Sequence, residues 1–337
     1  MLKTEEEPID IVVTWLDNKD PKWLADKRRW QNEISPSKTA AETRRFDSDP
    51  DLLKYWFRLI EKNAPFVRKV FFVTYGHIPK WLNTKNKKLA VVKHGDFIPR
   101  EYSPTFNSAV IEMNLFRIKE LSERFVYFND DVYLSAPAVL EDFFVGDKVK
   151  YNYTEALMCF DESLDLEFRN ILLNVARVIN RNFDKRTAMK KYSRTFFNLV
   201  NRASTKNALR YMNFNKYLGP IPAHVSMPFL KSTFEDVWRA EQDELDRTSR
   251  LKFRSDTTIS PYVLEVWQAF CGKTVPFEQD KFGKLFSTDE VTADMVEAIR
   301  KGRYKVICLN GQFSKTDMGV IKEAFLEAVP EKSTFEK

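Results

Sequence analysis

At 337 residues the chain is long enough for one large domain or two modest ones, and 43% hydrophobic with 30% charged residues argues against disorder. The net charge of +6, from 54 basic and 48 acidic side chains, is too mild for a nucleic-acid binder, and no nucleic-acid motif accompanies it. An aromatic content of 14%, with 28 Phe, reads either as a Phe-rich core or as an apolar surface that meets lipid or a partner.

The start, Met1–Glu7, is polar and acidic, so no signal-peptide core is expected there. The longest apolar runs, such as Ile11–Leu16 and Val70–Tyr75, have strand length and fall far short of the roughly 18 residues of a membrane helix. Cys159, Cys271 and Cys308 are odd in number and far apart, without metal-ligand spacing, which fits reduced structural thiols and a cytosolic setting.

Ile9–Trp15 (IDIVVTW) reads as a first strand, followed by a turn-rich loop over Leu16–Pro21. Leu52–Lys62 has helical spacing and stops at Asn63–Pro65. Lys69–Thr74 and Leu89–Val92 read as the next strands, and Ser108–Leu121 as a helix through Val110, Ile111, Leu115, Ile118 and Leu121. Phe125–Phe128 is a fourth strand and runs into Asn129-Asp130-Asp131. Near-continuous apolar strands separated by helices predict an α/β fold, with a mainly parallel central sheet and helices on both faces.

The middle of the chain changes character. Between Asp165 and Lys216 there are 12 Lys/Arg against 3 Asp/Glu, a local +9, with amphipathic helices expected over Ile171–Ile179 and Thr195–Val200. This basic helical insertion interleaves Phe183, Phe196, Phe197 and Phe214, which points either to contact with an anionic lipid surface, or to a solvated cap with ordinary core phenylalanines. Gly219–Lys231 is Pro-rich and loop-like, and a helix follows through Trp238. A polar loop over Phe253–Thr257 precedes a helix around Val263–Phe270, a strand over Tyr304–Leu309 and a closing helix over Met318–Ala328. The expected division is residues 1–150 as an α/β half, 151–218 as the basic helical insertion, and 219–337 as the completion of the α/β domain.

In open α/β sheets ligands bind at the carboxyl ends of the strands, which here carry Thr14, Trp15 and Asp17, then Asn129, Asp130 and Asp131. Adjacent acids there suit a hard cation bridging diphosphate oxygens; the plain alternative is a solvated strand-end turn. His224, held between Pro222 and Pro228, is either a structural imidazole or a catalytic one. Arg254 is either a surface cation or a clamp on phosphate oxygens. No dinucleotide fingerprint, phosphate-binding loop of the Walker type, nucleophile elbow or His-Glu-x-x-His motif occurs.

Several segments together resemble one family. Ile9–Pro21 (IDIVVTWLDNKDP), Arg44–Leu82, His94–Glu112 (HGDFIPREYSPTFNSAVIE) and Arg124–Ser135 (RFVYFNDDVYLS) resemble the first two conserved regions of the Stealth family. Pro220–Leu230 with Leu251–Ser260 (LKFRSDTTIS) is similar to its third region, and Lys305–Ser314 (KVICLNGQFS) to its fourth. Stealth proteins include bacterial capsule and exopolysaccharide hexose-1-phosphate transferases and the catalytic subunit of the lysosomal-enzyme N-acetylglucosamine-1-phosphotransferase.

The resemblance implies transfer of a hexose-1-phosphate or N-acetylhexosamine-1-phosphate from a UDP-hexose or UDP-N-acetylhexosamine to a glycan or lipid-linked glycan hydroxyl, with release of UMP and a need for Mg²⁺ or Mn²⁺. It implies a donor pocket with Thr14, Trp15, Asp17, Ser108 and Glu112, and a metal and diphosphate region with Asp130, Asp131 and Asn310. Asp131, His224 and Arg254 are expected at the reaction centre, with His224 as base. One position departs: the family shows an acid after the Asn of the fourth motif, whereas this chain has Asn310-Gly311, leaving Asn310, Gln312 or a water to serve in its place. The rival readings are a glycosyltransferase that releases UDP and a non-catalytic glycan- or lipid-binding protein.

Overall fold

The computed structural model describes residues 8–34, 50–157 and 166–337. The polar start Met1–Glu7, the Arg44–Asp49 part of the second motif, Cys159 and Asp165 lie outside the described residues. In chain order the strands are β1 Ile9–Thr14, β2 Lys69–Thr74, β3 Leu89–Lys93, β4 Arg124–Phe128, β5 Val132–Leu134, β6 Phe144–Val145, β7 Lys148–Lys150, β8 Met227–Leu230, β9 Thr274–Val275, β10 Gly283–Ser287 and β11 Val306–Asn310.

The central sheet has the order β3-β2-β1-β4-β8, parallel from β3 through β4 with β8 antiparallel at the edge. Side chains alternate between its faces, as a period of two requires. Ile11, Val13, Phe72 and Phe128 enter one apolar cluster; Val12, Phe71, Val73, Phe125 and Tyr127 enter the other. The first face is covered by the Pro50–Asn63 helix, which buries Leu52, Leu53, Trp56, Phe57, Leu59 and Ile60, together with the Lys315–Ala328 helix. The second is covered by helices of the basic stretch and by Lys231–Ala240 and Tyr262–Phe270. This is the mainly parallel α/β sheet with helices on both faces that the apolar runs predict.

Two smaller sheets, β10-β11-β5 and β6-β7-β9, flank it. The chain leaves β4 through Asn129-Asp130-Asp131 and immediately enters β5, which pairs antiparallel with β11. Trp56 fixes that exit by donating from its indole Nε1 to the Val132 carbonyl at 2.9 Å. The paired acids therefore sit at the seam between two sheets.

Three expectations need correction. The helix from Ser108 ends at Met113 and not at Leu121, because Asn114 turns its side-chain amide onto the Val110 carbonyl (2.8 Å) and a 3-10 turn over Leu115–Arg117 follows. Leu115, Ile118 and Leu121 are nonetheless buried. The helix expected over Thr195–Val200 holds only for Thr195 and Phe196: the short Ser193–Phe196 helix stops where Phe197 becomes extended. The Pro-rich segment ends in strand β8, with Pro228 opposite Val126 on an edge strand where a missing N–H is tolerated. Of the four phenylalanines in the basic stretch, Phe196 is buried and Phe183 packs edge-on to Trp267, with ring centroids 4.7 Å apart, so these two serve the core.

Candidate active site

The parallel strands deliver their carboxyl ends to one edge, and the described site residues gather there in three linked groups. The first is built on Tyr127, whose ring is wholly buried beneath the strand ends. Its hydroxyl lies 2.8 Å from the Thr14 hydroxyl, 3.1 Å from Glu112 Oε1 and 2.6 Å from Asn129 Oδ1. One phenol has a single proton, so it donates to Asn129 or Glu112 and accepts from Thr14. Burial, and then the Glu112 charge, hold this phenol far above its ordinary pKa, so it stays neutral. Tyr127 thus ties the end of β1, the Ser108–Met113 helix and the acidic turn to one atom.

The second group lies on the loops after β1 and β2. The Asp17 backbone N–H donates to His77 Nε2 at 2.8 Å, and Trp15 meets the same imidazole edge-on at 5.0 Å. Accepting at Nε2 requires a neutral ring, in keeping with burial lowering the His77 pKa against the raising effect of Asp20 and Asp17. His94 contributes no such contact; it packs edge-on to Tyr75, and burial pushes its pKa down to about 3. Arg254 joins the Ser108–Met113 helix to the insertion: its guanidinium donates to Ser108 Oγ at 2.8 Å and pairs with Glu167 at 3.3 Å. Ser108 and Glu112 share one face of their short helix, four residues apart.

The third group brings three separate motifs together. His224 Nε2 lies 3.8 Å from Asp131 Oδ2 and 3.5 Å from Asn310 Nδ2. Its other ring nitrogen, Nδ1, lies 2.9 Å from the Tyr262 hydroxyl. The His224 backbone has φ +48, an uncommon conformation for a side-chain-bearing residue, so surrounding contacts hold it there. Burial by itself would lower the His224 pKa, but the Asp131 carboxylate, helped by Glu112, outweighs it and raises it. Asn310 arrives because β11 runs beside β5, with the Leu309 N–H donating to the Asp131 carbonyl at 2.9 Å.

Asp131 is buried, and its Oδ1 has no hydrogen-bond partner among the described residues. A buried, orphaned carboxylate oxygen beside a second acid, Asp130, fits a divalent cation. The donor set is mixed, however: ligand atoms of Asp131, His224 and Cys308 lie within 4.8 Å of one another. Burial, then the Asp131 charge, push the Cys308 thiol well above its ordinary range, so it stays protonated. The oxygens of Asp130, Asp131 and Asn310 are therefore the better match to a hard cation. No spacing among the cysteines announces Cys308 at this place, which strand pairing alone creates.

Gly311 has a physical reason. A Cβ there would meet the Thr288 carbonyl oxygen at 1.9 Å, so no acid fits after Asn310 on this backbone. The loop after β10 that causes this crowding brings its own acid: Asp289 Oδ1 accepts from the Gln312 N–H at 2.7 Å.

Residues 45–152 match the family described as Stealth protein CR2, conserved region 2. The chain is 35% identical over 334 residues to a capsular polysaccharide phosphotransferase, WcwK, of Streptococcus pneumoniae, covering 98% of this chain and 99% of that protein. It is 34% identical to the receptor polysaccharide phosphotransferase WefC of Streptococcus oralis, over 97% of this chain and 99% of that one. The exopolysaccharide phosphotransferase cps2G of Lactiplantibacillus plantarum is 33% identical over 98% of this chain and 96% of its own.

Proposed function

The chain belongs to the Stealth family of capsular and exopolysaccharide phosphotransferases, and on that premise we propose that it moves a hexose-1-phosphate or N-acetylhexosamine-1-phosphate from a UDP-sugar to a glycan hydroxyl. The observation that carries this reading is the meeting of Asp131, His224 and Asn310, from three motifs far apart in the chain, around one imidazole edge.

In the proposed reaction the acceptor oxygen attacks the phosphorus that bears the sugar. An oxygen–phosphorus bond forms there, the bond to the bridging diphosphate oxygen breaks, and UMP departs with that oxygen. The glycosidic C1–O bond stays intact. His224 takes the acceptor proton at Nε2. For this the neutral ring carries its proton on Nδ1 and donates it to the Tyr262 hydroxyl, leaving a lone pair at Nε2. The imidazolium so formed faces the Asp131 carboxylate. Asp130, Asp131 and Asn310 would hold the divalent ion, Mg²⁺ or Mn²⁺, which when bound offsets negative charge on the diphosphate. Thr14, Trp15 and Asp17 bind the nucleotide portion, and Ser108 and Glu112 bind the sugar. Arg254, anchored on Ser108, offsets charge on the phosphoryl oxygens.

The acceptor is a glycan or lipid-linked glycan, and the enzyme works in the cytoplasm against the inner face of the membrane; no described helix is long and apolar enough to cross one. The test is a panel of UDP-hexoses and UDP-N-acetylhexosamines with Mg²⁺ or Mn²⁺ and a glycan acceptor, followed by identification of the nucleotide. UMP with a phosphodiester product supports the reading. UDP would make the protein a glycosyltransferase, and glycan binding without any turnover would make it a binding protein.

A further inference from the structure

The Arg202–Tyr211 helix turns its small buried residues, Ser204 and Ala208, inward. At about 100° per residue the opposite face carries Arg202, Lys206 and Arg210, a stripe of three exposed cations one turn apart. No described carboxylate lies within ion-pair distance of any of them. Leu209 shares this outer face and is half exposed.

Both ends of the helix are also apolar and exposed. Before it, Leu199 (87% exposed) and Val200 sit at the tip of a loop closed by Thr205, whose hydroxyl accepts from the Asn198 N–H and donates to the Asn198 carbonyl. After it come Met212 and Phe214, both exposed. A soluble surface rarely gathers so many large apolar side chains around unpaired cations. The combination matches a helix lying flat at an interface, with cations on anionic headgroups and apolar tips in the acyl boundary.

We infer that this helix and its two apolar ends dock the protein onto an anionic phospholipid bilayer. The residues responsible differ from the aromatic set that the basic sequence suggests, since Phe183 and Phe196 are committed to the core and Phe214 alone of the four is well exposed. The inference goes beyond the proposed reaction and does not rest on it, because lipid binding is read without turnover.

The test is co-sedimentation of the full chain with vesicles of phosphatidylcholine alone and of equal parts phosphatidylcholine and phosphatidylglycerol. The intact protein should bind the anionic vesicles, weaken with added salt, and ignore the neutral ones. Replacing Arg202, Lys206 and Arg210 together with Ala should lower partitioning roughly 10²-fold. The pair Leu199→Ser and Phe214→Ser should lower it about tenfold or more. Circular dichroism on each variant checks that the fold is kept. Absence of binding by the intact protein, or full binding by the triple variant, overturns the inference. Loss in the cationic variant with none in the apolar pair also overturns it, because the apolar ends would then take no part in the docking.

Discussion

Tyr262 presents its hydroxyl 2.9 Å from His224 Nδ1, and it does so from a helix in which every residue except Glu265 is buried. A rigid helix therefore sets the orientation of an imidazole whose own backbone, at φ +48, would not choose this pose unaided.

Tyr262→Phe removes that hydrogen bond while keeping the ring. We expect kcat to fall about tenfold with the donor KM unchanged, the loss of one hydrogen bond of about 1–1.5 kcal/mol. With only three histidines in the chain, imidazole nitrogen NMR can follow the His224 tautomer directly. Unchanged kcat together with an unchanged tautomer would show that Tyr262 only fills space.

Gly311→Ala should destabilise the protein by about 1–3 kcal/mol, because the added Cβ would overlap the Thr288 carbonyl oxygen. Urea denaturation measures this. A variant as stable as the parent would show that the loop after β10 yields freely, and that the absence of an acid at this position has another cause.

Lys185 and Glu155 form an ion pair that is almost fully buried, joined at 2.7 Å, with Tyr153 and the Leu218 N–H completing the carboxylate's bonds. Lys185→Met should cost about 3–5 kcal/mol by leaving the carboxylate unpaired. Adding Glu155→Gln should recover part of that loss. Two additive losses would mean the pair is not coupled.

Glu265 links folding to pH. Part of the Glu265 side chain reaches the surface, but the packing around its carboxyl, beside Tyr151, Tyr217 and Tyr262, pushes it up from an ordinary 4.5 to about 8. A carboxyl with a raised folded-state pKa binds its proton more tightly when folded. Stability is therefore full below 4.5 and declines as pH rises toward 8. Glu265→Gln should leave stability unchanged at low pH and increase it above pH 8. Equal melting curves for the two proteins across the range would show that the Glu265 carboxyl titrates as an ordinary solvated acid.

Some of this was legible in the chain and some was not. Lys69–Thr74 could be read as a strand because a doubly covered parallel sheet makes its strands continuously apolar, and the observed bounds are the same. β8 escaped because two of its features, Pro228 and its place after a Pro-rich run, signal a loop unless the strand is known to be an edge. Thr14, Glu112 and Asp131 could be placed from motif and strand-end position. Tyr127 and Tyr262 could not, since a hydroxyl that binds Thr14 across 113 residues, or His224 across 38, leaves no local pattern. Cys308 reached the acids by strand pairing, which spacing does not encode.

In the proposed reaction, phosphoryl transfer takes place at the edge of His224 that faces Asp131 and Asn310. The most direct measurement is His224→Ala, with UDP-sugar affinity and turnover determined separately on protein shown to be folded. Turnover should fall by about 10²-fold or more, as expected for loss of a general base, while donor affinity is retained. Turnover equal to that of the parent would contradict it and move the base to a carboxylate, with Asp17 and Glu112 the first to be replaced.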